Sequence, residues 1–202
     1  EIRQQAAWWP EAGVHGDVTR SLQDELADLA SWCAQHARPA VTLVAFDAHP
    51  GNFIVRKTGD AVKVDLEKCR YSHPGLDLAH ATLYTSTTWD IDGRCELSTA
   101  EVAGFYRSWV ARVDTDHAVA AADWHLPLRR AMWLWSLTWC AKWRVLSRQG
   151  ARSGGDGEDW SAQRSEERLV AHVRDRVDHY LDPDVVRKVR EGFVVLAAAL
   201  TE

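Results

Sequence analysis

Between residues 41 and 67 the chain reads VTLVAFDAHPGNFIVRKTGDAVKVDLE, and this stretch restricts the possible folds more tightly than any other. A continuous β-branched run over 41–46, bounded by turn residues, reads as a short buried strand that ends at Asp47. A Pro-Gly step leads to Asn52. Apolar residues over 53–56 and 62–64 then flank Thr58-Gly59-Asp60, the pattern of a hairpin, and its second strand delivers Asp65. Asp47 and Asn52 are five positions apart (52 − 47 = 5), and Asp65 follows thirteen later (65 − 52 = 13). A loop and a hairpin of these lengths bring the three side chains toward one place.

The rest of the chain is patterned for helices. Leu22, Leu26, Leu29, Trp32 and Cys33 recur at helical spacing, with Asp24, Glu25 and Asp28 on other faces, and Pro39 ends that segment. Residues 76–83 follow a second Pro-Gly break. Ser98 and Glu101 form a capping-box pattern ahead of Val102, Phe105, Trp109 and Val113. A long helix is expected over 126–146, with Trp135, Trp139 and Trp143 as a core stripe; one of these rings lining a substrate pocket is the sharper alternative. The glycine-rich stretch 148–161 reads as a mobile loop, and Asp182-Pro183 separates helices expected over 162–181 and 184–200. The expected class is α+β and predominantly helical, a single domain over 1–202 with a small β-hairpin that carries the functional loops.

At 202 residues and 46% hydrophobic, the chain is able to bury a core of its own. The net charge of −5 is mild, and no block of Lys and Arg offers a nucleic-acid grip. The four cysteines are far apart and form no C-x-x-C pair, which reads as free thiols of a reducing cytosol; no apolar run is long enough to span a bilayer. A cytoplasmic protein without nucleic-acid or membrane partners is expected.

Taken singly, Asp47, Asn52 and Asp65 are ordinary cap or turn residues. Taken as a spaced set they suit phosphoryl transfer. One carboxylate and one amide oxygen make a hard-metal pair of the kind Mg²⁺ accepts, since Mg²⁺ keeps waters and substrate phosphates as its other ligands. A third group, free of the metal, is then able to accept the proton of a hydroxyl nucleophile.

The ordered motifs D-A-H-P-G-N at 47–52, V-D-L-E at 64–67 and P-G-L-D-L-A at 74–79 resemble those of the aminoglycoside phosphotransferase and choline kinase-like family of small-molecule kinases, which shares the protein-kinase-like fold. The resemblance implies the C-terminal lobe of that fold and an ATP- and Mg²⁺-dependent transfer, with ATP or GTP as donor, to the hydroxyl of a small molecule such as an aminoglycoside or choline. It implies Asp47 as the catalytic base and Asn52 and Asp65 as Mg²⁺ ligands. His49 shapes the loop between base and ligand, Asp77 caps its helix and bonds the catalytic loop from behind, and Glu67 occupies a position where the family often has a glutamate.

The chain departs from the family pattern at Ala45-Phe46, where the family has His-Gly before the aspartate, and at Leu66, where it has tryptophan. His15-Gly16-Asp17 spells the missing tripeptide, but no strand precedes it and Leu22 stands where the asparagine is needed. It reads as a loop feeding a helix near Ser21. His73 and His80 read as surface or capping residues. No G-x-G-x-x-G and no strand lysine suited to pairing with phosphates is present; Gly154-Gly155-Asp156-Gly157 leads into acids. With Glu1 first and Met132 the sole methionine, the expectation is a fragment lacking its N-terminal ATP-covering lobe, inactive or weakly active alone. The competing expectation is a catalytically degenerate kinase-fold module with a binding or regulatory role. Keeping Asp47, Asn52 and Asp65 together argues against it.

Overall fold

The computed structural model describes residues 1–90, 93–149 and 167–201. Helices dominate: α1 (Ile2–Ala6), α2 (Gly16–Gln35), α3 (Gly75–Thr82), α4 (Tyr84–Thr87), α5 (Thr99–Val110), α6 (Thr115–Ala122), α7 (His125–Gln149), α8 (Glu167–Tyr180) and α9 (Pro183–Thr201). The strands are β1 (Thr42–Val44), β2 (Phe53–Val55), β3 (Ala61–Lys63) and β4 (Arg70–Ser72), and they form two antiparallel pairs. In one, Thr42 faces Ser72 and Val44 faces Arg70; in the other, Phe53 faces Lys63 and Val55 faces Ala61. The fold class is α+β and mostly helical.

The residues form two compact units, one of Glu1–Leu26 with Leu134–Lys188 and one of Ala27–Trp133 with Val189–Glu202. In the first, Val18, Leu22, Leu134, Leu137, Val173, Val177 and Tyr180 are buried. The second contains all four strands and a core of Leu78, Val102, Ala103, Tyr106 and Leu196. Ser98 caps α5 in a reciprocal pair with Glu101, as its sequence pattern predicts. Asp182 caps α9 by accepting from the Asp184 and Val185 N–H groups, and Pro183 starts the helix where its missing N–H costs nothing.

Several expectations are corrected. The strand over 41–46 shrinks to β1 and is not buried on both faces: Val44 is 2% exposed but Leu43 is 64% exposed. Successive strand residues point to opposite sides, and here only one side is covered. Residues 135, 139 and 143 do not form a uniform core stripe. Trp143 is buried, Trp135 and Trp139 are half-buried, and the deepest positions are Met132, Trp133, Leu134, Leu137, Thr138 and Ala141. A strict four-residue step gains about 40° per repeat on a helix of 3.6 residues per turn, so it drifts off the buried face. Helix α2 starts at Gly16 rather than near Ser21, buries Glu25, and leaves Cys33 exposed. On α5 it is Tyr106, not Phe105, that is buried.

Strand β4 and helices α1, α4 and α6 have no counterpart in the sequence expectations. The loop expected over 148–161 lies, apart from Arg148 and Gln149, outside the described residues, as do Asp156 and residues 162–166 of the expected helix. All four cysteines are free, and burial pushes the Cys140 thiol up to about 12. Among the described residues no helix is long and apolar enough to cross a membrane.

Candidate active site

Strand β1 ends at Val44 and its continuation turns sharply. Phe46 is buried with φ at 60°, the left-handed region that costs a non-glycine residue roughly 1–2 kcal/mol. Helix α3 supplies what holds it there. The Asp77 carboxylate, in the first turn of α3, accepts the Ala45 N–H at 2.7 Å and the Phe46 N–H at 2.8 Å. Hydrogen bonds to a charged acceptor contribute about 1.5–3 kcal/mol each, so this pair outweighs the strain. The Phe46 ring carries the Arg70 guanidinium over its face, 3.8 Å from the centroid.

Asp47 emerges from this turn half-buried, and three cationic or ionisable groups surround it. Lys68 Nζ lies 3.4 Å from Oδ2, while His80 Nδ1 and His49 Nε2 lie 3.9 and 4.0 Å from Oδ1. Burial alone would raise the Asp47 carboxyl, but Lys68, then His80 and His49, outweigh it and hold the group below its ordinary value. His80 is buried on α3, and its burial pushes the ring down to about 4 against the opposing pull of Asp47. His49 is lowered by burial as well, with Asp47 opposing and Lys63 and Lys68 adding to the effect. At neutral pH the cluster is therefore an ionised carboxylate with two neutral imidazoles and an ammonium.

The Pro50–Asn52 turn is a single 3-10 turn that follows His49. His49 Nδ1 accepts the Gly51 N–H at 3.1 Å, which leaves the proton of its neutral ring on Nε2, the nitrogen facing Asp47. A Cβ on Gly51 would meet His49 Cε1 at 2.9 Å, so the close approach of ring and backbone requires glycine. The same added atom would lie 3.5 Å from Asp90 Oδ2, which brings a further carboxylate beside the loop.

Asn52 is buried and its amide donates to the Asp47 carbonyl at 3.0 Å. With Nδ2 spent in this way, the remaining polar atom of the side chain is Oδ1, an acceptor suited to a cation. Asp65 is tied to Asn52 through the backbone: the Val64 N–H donates to the Asn52 carbonyl at 2.9 Å. Asp65 itself is exposed and left-handed, with φ at 56°. Lys63 holds this exit by donating to the carbonyls of Val64 at 2.7 Å and Asp65 at 3.3 Å. Glu67 lies exposed on the turn that also carries Lys68.

Among the described residues no three His, Cys, Asp or Glu side chains converge as a metal site. The donors expected from the sequence, the Asn52 amide oxygen and the Asp65 carboxylate, are too few for an all-protein cage and are of the hard-oxygen type that Mg²⁺ takes; the link between their segments is the Val64–Asn52 backbone hydrogen bond.

The sequence expectations missed three members of this cluster. His80 is not a surface residue; it is 6% exposed. Its signal was available, because Asp77 and His80 are three apart on a helix and share a face. Lys68 and Asp90 reach the loop through turns whose paths no periodicity encodes. His73, the other histidine read as a surface residue, is half-buried, with its ring stacked on Trp124.

A family model described as the phosphotransferase enzyme family (APH) matches residues 3–114. Among solved structures, an ethanolamine kinase of Plasmodium vivax aligns with a TM-score of 0.54 at 14% sequence identity, over 93% of this chain and 49% of the kinase. The chain thus spans about half the length of that kinase, and the likeness is one of fold. No curated protein matches the sequence.

Proposed function

The chain belongs to the phosphotransferase enzyme family, and from that premise we propose that it is the C-terminal lobe of an ATP- and Mg²⁺-dependent kinase acting on the hydroxyl of a small molecule. Aminoglycoside- and choline-like alcohols are the acceptor class in view, with ATP or GTP as donor. The observation that carries the reading is the convergence on Asp47, where an ionised carboxylate is anchored at the end of a clamped loop with Asn52 bonded to its own carbonyl.

In this reading Asp47 accepts the proton of the acceptor hydroxyl as its oxygen attacks the phosphoryl group. The carboxylate is ionised at neutral pH, so it is ready to receive that proton without prior deprotonation. Asn52 Oδ1 and Asp65 would hold Mg²⁺, which when bound neutralises phosphate charge and orients the transferring group. Lys68 offsets the negative charge of Asp47 and sets a cation at the edge of the reacting space. Asp77 keeps the loop turned so that Asp47 faces inward. His49 packs between base and ligand as a neutral donor, and Glu67 is a candidate for a supporting role from the exposed turn. An ATP-covering lobe supplied by further residues of the same protein completes the proposed site.

The test is Asp47→Asn in the full-length protein. Turnover is expected to fall about 10²–10⁴-fold, the usual weight of a general base, while Mg-nucleotide binding by calorimetry stays within a factor of two or so. Near-native turnover in this variant would remove Asp47 as the base.

A further inference from the structure

Lys68 stands on the turn that joins the two halves of the site. Asp65 precedes it by three residues (68 − 65 = 3), and the Cys69 N–H donates to the Leu66 carbonyl at 3.1 Å to close the turn. Strand β4 follows, and there Arg70 faces Val44 of β1, the strand that leads into Asp47. The backbone thus delivers the Lys68 side chain to the carboxylate, with Nζ 3.4 Å from Oδ2. We infer that Lys68 is a catalytic residue of the proposed transfer: its ammonium is shared between the Asp47 carboxylate and the oxygens of the transferring phosphoryl group. The inference rests on the proposed role of Asp47, and it gives the donor phosphate a cation that the sequence motifs do not assign.

Three observations support it. The carboxylate is divided between its neighbours: the rings of His80 and His49 face Oδ1 at 3.9 and 4.0 Å, while Lys68 faces Oδ2. The ion pair is loose. A charge-assisted N–H···O bond spans about 2.7–2.9 Å, so at 3.4 Å the ammonium is beside the carboxylate without being locked on it. Its side chain is nonetheless only 21% exposed, and an ammonium drawn that far from water requires negative charge around it. Two neighbouring cations have other tasks: Lys63 donates to the Val64 and Asp65 carbonyls, and the Arg70 guanidinium lies over the Phe46 ring.

The distances put phosphate within reach. A hydroxyl donating to Asp47 lies about 2.6–3.2 Å from it, and the hydroxyl oxygen attacks phosphorus from about 3–3.5 Å. A phosphoryl group so placed is within about 7 Å of the carboxylate. An ammonium on a four-carbon stem, already 3.4 Å from Oδ2, meets its oxygens by rotating the end of the side chain. In the transfer the O–H bond of the acceptor breaks and its proton passes to Asp47. The acceptor oxygen bonds to phosphorus, and the bond from phosphorus to the nucleoside diphosphate breaks, its electron pair leaving with the diphosphate. Lys68 keeps its own protons throughout. As Asp47 is neutralised, the pull of the ammonium passes to the phosphoryl oxygens, where negative charge remains.

The experiment measures, by calorimetry on the full-length protein, the affinities for Mg-ADP and for the Mg complex of the β,γ-imido analogue of ATP, which adds the terminal phosphoryl group. Wild type, Lys68→Met and Lys68→Arg are compared, each alone and combined with Asp47→Asn. Lys68→Met is expected to weaken the triphosphate analogue about 10-fold or more, the weight of a hydrogen bond to a charged group, and to leave Mg-ADP within about twofold. Arginine is expected to recover most of that loss. The same selective loss is expected in the Asp47→Asn background, where removing the lysine leaves no carboxylate unpaired. A loss that vanishes in that background would overturn the inference, because Lys68 would then act only through Asp47. Equal losses for both nucleotides, or none, would overturn it too. Lys68→Gln gives the same comparison with a polar side chain where thermal unfolding shows that methionine disturbs the turn. Full-length wild type that binds neither nucleotide would remove the kinase reading together with the inference. Turnover abolished by Asp47→Asn, with no selective loss at Lys68, would remove the inference alone.

Discussion

The loop that carries Asp47 and the hairpin exit that carries Asp65 both pass through a left-handed residue, yet the molecule supports them in opposite ways. Phe46, at φ 60°, is buried and gripped by charged side chains, Asp77 from α3 and Arg70 from β4. Asp65, at φ 56°, is exposed, and its carbonyl is held by Lys63 at the end of β3, two residues before it. The first arrangement fixes a side chain relative to the helical core. The second leaves a carboxylate at the surface of a two-stranded ribbon, where a bound cation and its phosphates would complete the order. On the proposed roles, the contrast suits a base that must be aimed before substrate arrives and a ligand that gains its geometry with the metal.

The sharpest way to break that comparison is Asp65→Asn set beside Asp47→Asn. Asparagine tolerates the left-handed backbone, so the substitution removes charge and spares the turn. In the full-length protein, kcat is expected to fall about 10²–10³-fold and the Mg²⁺ concentration for half-maximal rate to rise, as for loss of a group that holds transition-state charge. Asp47→Asn is expected to leave the Mg²⁺ dependence alone. Identical Mg²⁺ profiles for the two variants would erase the division between base and ligand.

Acid comes next in size, and it should act on the buried region. His80 titrates at about 4 in the folded chain against an ordinary 6.5, so between those values the unfolded chain binds more protons. Stability is therefore full above about pH 6.5 and declines as pH falls toward 4, by on the order of 3 kcal/mol from this group. His49 is lowered too and adds in the same direction. Asp47, whose folded value is depressed, contributes stability that is lost only at still lower pH, as the carboxylate protonates. Urea midpoints at about pH 7 and pH 4.5 should converge more in His80→Gln than in wild type. An equal acid sensitivity in both would mean that the buried imidazole is not what titrates.

A smaller pair of effects measures the supports directly. Asp77→Asn leaves one acceptor oxygen for two N–H groups, and an orphaned buried N–H costs about 1–3 kcal/mol in urea unfolding. Lys63→Met removes the donor at the hairpin exit, where water is able to replace it, and should cost less than about 1 kcal/mol. If Lys63→Met proved the costlier, the hairpin rather than α3 would be the rigid side of the site.

Much of this was legible along the chain because it depends on neighbours in sequence. The hairpin of β2 and β3 follows from apolar runs around a Gly-Asp turn, the α5 cap from Ser98 and Glu101 three apart, and the start of α9 from Asp182-Pro183. The spacing of Asp47, Asn52 and Asp65 likewise names a set, since loop and hairpin lengths limit where their side chains end up. Amphipathic detail was less legible: Glu25 is buried and Phe105 exposed, because which flank of a helix is covered depends on elements distant in sequence.

By itself, then, the sequence determined the mostly helical class, the hairpin and the identity of the three polar residues at its base, all consequences of local geometry and periodicity. Only the tertiary structure decided how they are held. It brought α3 behind the loop so that Asp77 grips Ala45 and Phe46, and it folded the turn after Asp65 so that Lys68 meets Asp47. The physical reason is that a positive φ on a phenylalanine and an ammonium 3.4 Å from a carboxylate are sustained by groups 21 to 31 positions away (68 − 47 = 21; 77 − 46 = 31), and no local pattern specifies partners at that distance.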